Sequence, residues 1–229
     1  MVLTGPELHH LRVRRLGVGT PIVLFDGCGN QRQGIVTAVD RRQAWIQFTH
    51  EDIAPSESPL RVVLAQAVLK ATKLDIVIEK ATELGVQELL LFTAERSVSH
   101  TTAVRMERWH RIAESAAKQC QRSTVPSIRG PIAFAALLRE PSASLRLFFW
   151  EAAPHLTLDA VARRHRQCAS VLAVVGPEGG FTAREADLAE AAGFQVVGLS
   201  RRILRAETAA IVTLALCQFL WGDLGSSHP

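Results

Sequence analysis

Two irregular segments in the last third of the sequence hold the residues best suited to chemistry. The first, Gly176-Pro-Glu-Gly-Gly180, is called the glycine loop; its glycines let the backbone turn sharply and approach a ligand closely, because glycine has no Cβ. The second, Gly198-Leu-Ser-Arg-Arg-Ile-Leu-Arg205, is called the arginine loop, and Glu207 and Thr208 follow it. Taken alone, the glycine loop also fits an ordinary turn between a strand and a helix.

Each loop follows an apolar stretch that the sequence predicts to be a strand, 171–175 before the glycine loop and 194–199 before the arginine loop. Ligands of α/β sheets bind at the carboxyl ends of strands. If the two strands are neighbours, the loops form one pocket with Arg205 and Glu207 at its rim. Its apolar wall would consist of Leu199, Ile203 and Leu204. Without a phosphate cradle, such a pocket suits an adenosine that carries a cationic sulfonium better than a nucleoside triphosphate.

Several other kinds of site are not supported by the sequence. It contains no Gly-x-x-x-x-Gly-Lys-Ser/Thr loop, no Gly-x-Gly-x-x-Gly after a strand and no Gly-x-Ser-x-Gly elbow. The four cysteines are far apart, and the adjacent His9 and His10 cannot share one face of a helix or strand. We therefore expect neither a disulfide framework nor a metal site.

Composition and charge predict a soluble cytosolic protein with a polyanionic partner. The longest apolar run, 209–220, is too short to span a bilayer, and three arginines within 12–15 replace the apolar core of a signal peptide. Residues 1–59 are neutral, whereas residues 96–146 hold nine basic residues against three acidic ones. Such a concentration is typical of a protein that binds nucleic acid, although a solvated helix face explains it as well.

The pattern of elements predicts two domains. The first part of the chain is read as β-strands at 21–25, 33–39 and 44–49, followed by a polar, proline-containing linker at 51–59. After Pro59, strands alternate with helices, which predicts an α/β domain with a mainly parallel sheet covered on both faces. The expected boundaries are 1–59 and 60–229.

The motifs closely resemble those of the RsmE-type methyltransferases of small-subunit (16S) ribosomal RNA. The resemblance is carried by the glycine loop together with Leu199-Ser-x-x-Ile-Leu-Arg-x-Glu-Thr208, and it covers almost the whole chain. The further matching blocks are His9-His-Leu-Arg-Val-Arg-Arg-Leu16, Leu24-Phe-Asp-Gly27, Glu79-Lys-Ala-Thr-Glu-Leu-Gly-Val86 and Gln119-x-x-Arg-Ser-x-Val-Pro126. In this family a short strand usually precedes the first block, whereas this sequence begins almost at that block. We expect the lack of this strand to weaken the barrel or one RNA contact.

This resemblance implies an S-adenosylmethionine-dependent enzyme that methylates N3 of a uridine in 16S ribosomal RNA, either free or within the small subunit. It implies a PUA-like N-terminal β-barrel and a SPOUT-type domain with a C-terminal trefoil knot; since chain connections rarely form knots, the knot rests on the resemblance alone. It also implies a homodimer without metal or membrane. The last helix would contribute Ile211, Leu214, Ala215 and Leu220 to the dimer interface.

The resemblance also assigns roles to individual residues. The residues expected to contact the cofactor are Val175, Gly176, Gly180, Leu199, Ile203, Leu204 and Thr208. Arg205 is expected to bind the phosphate of the target nucleotide or the developing uracil anion, or else to form an ion pair with a nearby glutamate. Glu178 and Glu207 either hold a loop by accepting backbone N–H groups or contact the substrate. RNA contacts are expected from Arg12, Arg15 and Arg122.

Two alternative functions stay open at the level of sequence. The first is a SPOUT enzyme that modifies tRNA or a ribose 2′-hydroxyl, against which the glycine loop and the N-terminal barrel argue. The second is a non-catalytic RNA-binding protein that keeps the fold.

Overall fold

The structure, a computed structural model, describes residues 1–49, 57–70, 72–98, 102–141, 143–152 and 156–225. These residues form two compact units. The first comprises the described part of 1–56 together with 122–124, and the second comprises the described parts of 57–121 and 125–229. Most of the predicted linker lies outside the described residues, so the boundary after residue 59 stays a prediction.

The first unit is a four-stranded antiparallel sheet with one helix. Its elements are β1 (Val2–Leu3), α1 (Gly5–Val13), β2 (Pro21–Phe25), β3 (Gln31–Val39) and β4 (Ala44–Phe48), with the strands in the order β1-β4-β3-β2. Its small core consists of Leu3, Leu8, Leu11, Val36, Ala44 and Ile46. The sequence did not predict α1, because this helix buries only Leu8 and Leu11 and has no strong apolar stripe.

The second unit is a six-stranded parallel sheet covered by helices on both faces, which confirms the predicted α/β class. Its strands are β5 (Arg61–Ala67), β6 (Glu88–Thr93), β7 (Ser127–Ala133), β8 (Leu145–Phe149), β9 (Ser170–Val175) and β10 (Gln195–Val197). Its helices are α2 (Thr72–Glu83), α3 (Ala103–Cys120), α4 (Phe134–Leu137), α5 (Leu158–Arg164), α6 (Ala183–Ala191) and α7 (Ala206–Trp221). The strand order is β10-β8-β9-β5-β6-β7.

The order of the strands corrects one expectation. The expectation of one pocket depended on the strands before the two loops, β9 and β10, being neighbours, but β8 lies between them and pairs with both. The short β10 is an edge strand of three residues, where the sequence suggested six. Strand order depends on contacts between distant segments, which local hydrophobic patterns do not specify.

Each face of the parallel sheet packs against its own apolar cluster. Val62 and Leu64 of β5 face the cluster that contains α2 and α7, whereas Ala65 and Ala67 face an aromatic cluster on the other side. Because central strands are buried on both faces, their sequences are almost continuously apolar. Leu214 of α7, expected at a dimer interface, is fully buried in the first of these clusters.

Two sets of hydrogen bonds position α6, the helix after the glycine loop. Thr182 caps its first turn: its side chain accepts from the Glu185 N–H while the Glu185 carboxylate accepts from the Thr182 N–H. The spacing Thr182-x-x-Glu185 before an apolar helix predicts such a capping box from the sequence, and the structure confirms it. The Glu185 carboxylate also accepts the N–H of Glu95, at the end of β6, at 2.9 Å.

No helix in the described part of the chain is long and apolar enough to cross a membrane.

Candidate functional site

The glycine loop and the arginine loop line one cavity of about 360 Å³, within the size range of small-molecule sites. Although β8 separates the two parent strands, its carboxyl end reaches the same cavity and contributes Trp150 and Glu151. Lys73 of α2 completes the wall. The cavity brings together eight residues selected from the sequence, namely Val175, Gly176, Glu178, Gly180, Leu199, Ile203, Leu204 and Arg205.

Glycine is required at two positions of the glycine loop. Gly180 has a φ of +67°, a conformation that other residues rarely adopt, and a Cβ there would collide with the Glu151 carboxylate. A Cβ at Gly176 would lie 2.9 Å from the ring of Phe181. This ring packs against Phe148, with ring centroids 4.1 Å apart, so the loop rests on a rigid aromatic base.

Glu178 fastens the glycine loop to the start of α2. Its Oε1 accepts a hydrogen bond from the Lys70 N–H at 3.0 Å and lies 3.5 Å from the Lys73 ammonium. Partial burial acts to raise the pKa of Glu178, but the Lys70 N–H and the Lys73 charge outweigh it and lower this pKa overall. The carboxylate therefore stays ionised, and the contact favours the loop-holding role over that of a proton acceptor.

Lys73 also pairs with Glu207, whose Oε2 lies 3.7 Å from the same ammonium. That oxygen is buried and accepts no hydrogen bond from any described residue. Lys73 thus lies between a carboxylate of the glycine loop and one that follows the arginine loop. Its role was not predicted from the sequence, although Lys73 is one of only four lysines in an arginine-rich chain.

Arg205 lies at the rim of the cavity and is exposed, as the N-cap residue of α7. Its guanidinium makes no ion pair or hydrogen bond with the residues that the structure describes, whereas Glu207 pairs with Lys73. The ion pair between Arg205 and a glutamate, which was the alternative role for this residue, is therefore not formed within the described part of the chain. An unpaired guanidinium beside an open cavity can bind an anion that enters it.

The remaining predicted site residues lie elsewhere. Thr208 is exposed and does not line the cavity. Arg12 and Arg15 are exposed in the first unit, where Arg12 donates to the Asp40 carbonyl at 2.6 Å. Arg122 is assigned to the same unit but is only 4% exposed, so its side chain is buried.

The residues of the cavity fit a cationic adenosine cofactor. Leu199, Ile203 and Leu204 offer apolar surface, and Glu151 offers a carboxylate. The described residues contain no group of three or more His, Cys, Asp or Glu side chains that could hold a metal ion.

Comparison with known proteins identifies both parts of the chain. Residues 56–218 match the family model described as an RNA methyltransferase domain, and residues 3–49 match the RNA methyltransferase PUA domain. The chain is similar to ribosomal RNA small subunit methyltransferase E of Synechocystis sp., with 33% identity over 94% of this chain and 71% of that protein. It is 30% identical to the protein of the same name from Bacillus subtilis, over 95% of this chain and 89% of that one.

Solved structures agree with this assignment. The structure of ribosomal RNA small subunit methyltransferase E from Neisseria gonorrhoeae, bound to S-adenosyl methionine, has a TM-score of 0.89 and 35% identity, covering 97% of this chain and 92% of that one. A Legionella pneumophila methyltransferase in complex with the same cofactor has a TM-score of 0.85 and 31% identity, over 98% and 94% of the two chains. The resemblance found in the sequence is thereby confirmed, and the chain belongs to the ribosomal RNA small subunit methyltransferase E family.

Proposed function

We propose that this protein transfers a methyl group from S-adenosylmethionine to N3 of a uridine in small-subunit (16S) ribosomal RNA. The observation that carries the proposal is the shared cavity of the glycine and arginine loops, in a chain similar to two proteins solved with this cofactor. When bound, S-adenosylmethionine supplies a methyl group activated by a positively charged sulfur.

Different residues of the cavity would contact different parts of the cofactor. The backbone at Val175, Gly176 and Gly180 would contact the cofactor, and the apolar side chains of the arginine loop would cover its adenosine. The Glu151 carboxylate faces the cavity at Gly180, where negative charge favours a ligand that carries a cationic sulfonium and an ammonium group.

Arg205 would act on the nucleobase. Uracil N3 carries a weakly acidic proton, so its lone pair attacks poorly until that proton leaves. A fixed cation beside the uracil carbonyl oxygens lowers the pKa of N3 and stabilises the anion. Glu178 is less suited to accept the proton, because its lowered pKa makes it a weak base.

The wider organisation is proposed on the same basis. Residues 1–59 would form the RNA-binding PUA-like domain, and residues 60–229 the SPOUT domain with its trefoil knot. The enzyme would act in the cytoplasm as a homodimer, on free 16S ribosomal RNA or on the small subunit, without a metal.

The proposal is tested by mapping methylated nucleosides in ribosomal RNA from cells with and without the gene. We expect one N3-methyluridine of the small subunit to disappear on deletion and to return with the wild-type gene but not with the Arg205→Ala gene. A missing mark on tRNA or on a ribose 2′-hydroxyl would assign another RNA target. Normal methylation, together with no heat of binding to S-adenosylmethionine, would indicate a non-catalytic RNA-binding protein.

A further inference from the structure

Arg202 is a second arginine that lines the cavity, in addition to Arg205. It belongs to the arginine loop and is exposed. Its guanidinium has no ion-pair or hydrogen-bond partner among the residues that the structure describes. The neighbouring Arg201 is also exposed but does not line the cavity. The proposed chemistry uses Arg205 at the nucleobase and gives Arg202 no role.

The backbone that carries Arg202 is held by the side chain of Ser200. The Ser200 Oγ accepts a hydrogen bond from the Arg202 N–H at 2.9 Å and donates one to the Arg202 carbonyl oxygen at 3.1 Å. A serine hydroxyl that bonds to the backbone two residues further along the chain closes a local turn. The point from which the Arg202 side chain extends is therefore fixed before a ligand binds, which lowers the cost of ordering it.

The acidic side chains around the cavity do not neutralise Arg202. Glu178 and Glu207 both pair with Lys73. Glu151 lines the cavity but forms no ion pair with Arg202 in the described part of the chain. A cation without a counter-charge beside an open cavity favours an anionic ligand. A guanidinium, which is planar and carries five N–H donors, is suited to the paired oxygens of a carboxylate or a phosphate.

Two anions would come near Arg202 during the proposed reaction, namely the carboxylate of the cofactor and a phosphate of the RNA. Ile203, which lies next to Arg202 in the arginine loop, is 84% exposed, so this part of the loop lies at the protein surface, where RNA approaches. Every nucleotide within an RNA chain has a phosphate on each side. A uridine whose base enters the cavity therefore brings two phosphates to its rim, and we favour the phosphate for this reason.

We propose that Arg202 binds a phosphate of the RNA backbone beside the target uridine, whereas Arg205 acts on the base. The two guanidinium groups, three residues apart in one loop, then hold the same nucleotide at its backbone and at its base. Arg202 contributes to the affinity for RNA, and the chemical step depends on Arg205. The inference rests on the proposed function, since the nucleotide concerned is the uridine that receives the methyl group.

The first experiment measures RNA affinity by filter binding at several salt concentrations, with 16S ribosomal RNA from cells that lack the gene. We expect Arg202→Gln to bind about tenfold more weakly, because a charge-assisted hydrogen bond is lost. The salt dependence should flatten by about one phosphate contact. Arg202→Lys should restore the salt dependence but only part of the affinity, since an ammonium keeps the charge without the planar fork. The matched control, Arg201→Gln, should bind RNA as the wild type does.

The second experiment changes the phosphate instead of the arginine. An RNA oligonucleotide that contains the target uridine, once nucleoside mapping has located it, is made with a neutral methylphosphonate on one side or the other of that uridine. At the contacted phosphate, this change should weaken binding to the wild type and to Arg201→Gln but should not weaken binding to Arg202→Gln any further. Equal losses for the wild type and Arg202→Gln at both positions would contradict the inference.

Calorimetry with S-adenosylhomocysteine separates this inference from the proposed function. Arg202→Gln should bind this compound with the affinity of the wild type. If it bound this compound more weakly while its RNA affinity stayed unchanged, Arg202 would be assigned to the carboxylate of the cofactor and the inference would be overturned. Unchanged affinity for both ligands would overturn it as well. A wild-type protein that methylates no uridine would instead overturn the proposed function.

Discussion

The ammonium of Lys73 lies 3.5 Å from Oε1 of Glu178, and this ion pair joins the first turn of α2 to the glycine loop. The same ammonium faces Glu207 at 3.7 Å. One cation therefore neutralises two carboxylates that belong to separate walls of the cavity, and removing it would leave both without an ion-pair partner in the part of the chain that the structure describes.

We expect Lys73→Met to lower the free energy of unfolding by about 1 kcal/mol, because partly exposed ion pairs contribute little individually and solvent screens them. S-Adenosylmethionine should bind several-fold more weakly, since both loops lose an anchor. Chemical denaturation and calorimetry measure the two effects. Lys80→Met, which removes the pairs with Glu79 and Glu83 on the same helix, is the matched control and should leave cofactor affinity unchanged.

The lowered pKa of Glu178 predicts how the free energy of unfolding changes as the pH falls. Its pKa in the folded chain lies below the value of about 4.3 in an unfolded chain. Its stabilising contribution is therefore complete above that value and disappears as the pH falls through the lower folded pKa. In urea unfolding between neutral pH and about pH 3, the stability difference between wild type and Glu178→Gln should be constant at neutral pH and shrink in acid. A difference that widens in acid would contradict this assignment.

Arg205→Ala should reduce the single-turnover rate of methylation by roughly a hundredfold, the scale of removing one donor that stabilises an anion. Its rate-against-pH profile should move to higher pH, because the nucleobase then ionises without help. Cofactor affinity should change little. Arg201→Ala, in the same loop but outside the cavity lining, serves as the control. An unaltered rate and pH profile for Arg205→Ala would mean that a group other than Arg205 stabilises the uracil anion.

The two exposed arginines of the first unit should differ in effect. Arg12 donates to the Asp40 carbonyl, and its charge adds to the backbone hydrogen bonds of Arg42 and Gln43 that lower the pKa of Asp40. Arg15 has no such contact among the described residues. We expect Arg15→Gln to flatten the salt dependence of RNA binding by about one phosphate contact, whereas Arg12→Gln mainly destabilises the unit. Filter binding at several salt concentrations measures the slopes, and equal slopes in wild type and Arg15→Gln would contradict the prediction.

The proposed dimer predicts a role for Phe219, an aromatic side chain of α7 that is 64% exposed. Phe219→Glu should shift the protein toward a monomer in sedimentation at micromolar concentration, because burying a charge in an apolar interface is costly. Leu188→Glu, at an exposed apolar position of α6, should leave the oligomeric state unchanged. A wild-type monomer under these conditions would overturn the dimer.

The parts of the structure that local sequence specifies could be predicted. The capping box of Thr182 and Glu185 spans only four residues, and the glycine loop is recognisable from its high content of glycine. The insertion of β8 between β9 and β10 could not be predicted, because it depends on pairing between segments far apart in the chain. For the same reason Lys73 was not predicted: it lies 105 residues from Glu178 and 134 residues from Glu207, the carboxylates that it pairs with.

The position of β8 also links cofactor binding to the folding of the second unit. Walls of the cavity come from α2, from the carboxyl ends of β8 and β9, and from the arginine loop that follows β10, so the cavity exists only in molecules in which β8 has taken its place in the sheet. Because a ligand that binds only the native state stabilises that state, the cofactor should protect this whole domain against proteolysis. The fraction of a preparation able to bind it therefore counts the molecules that have completed folding.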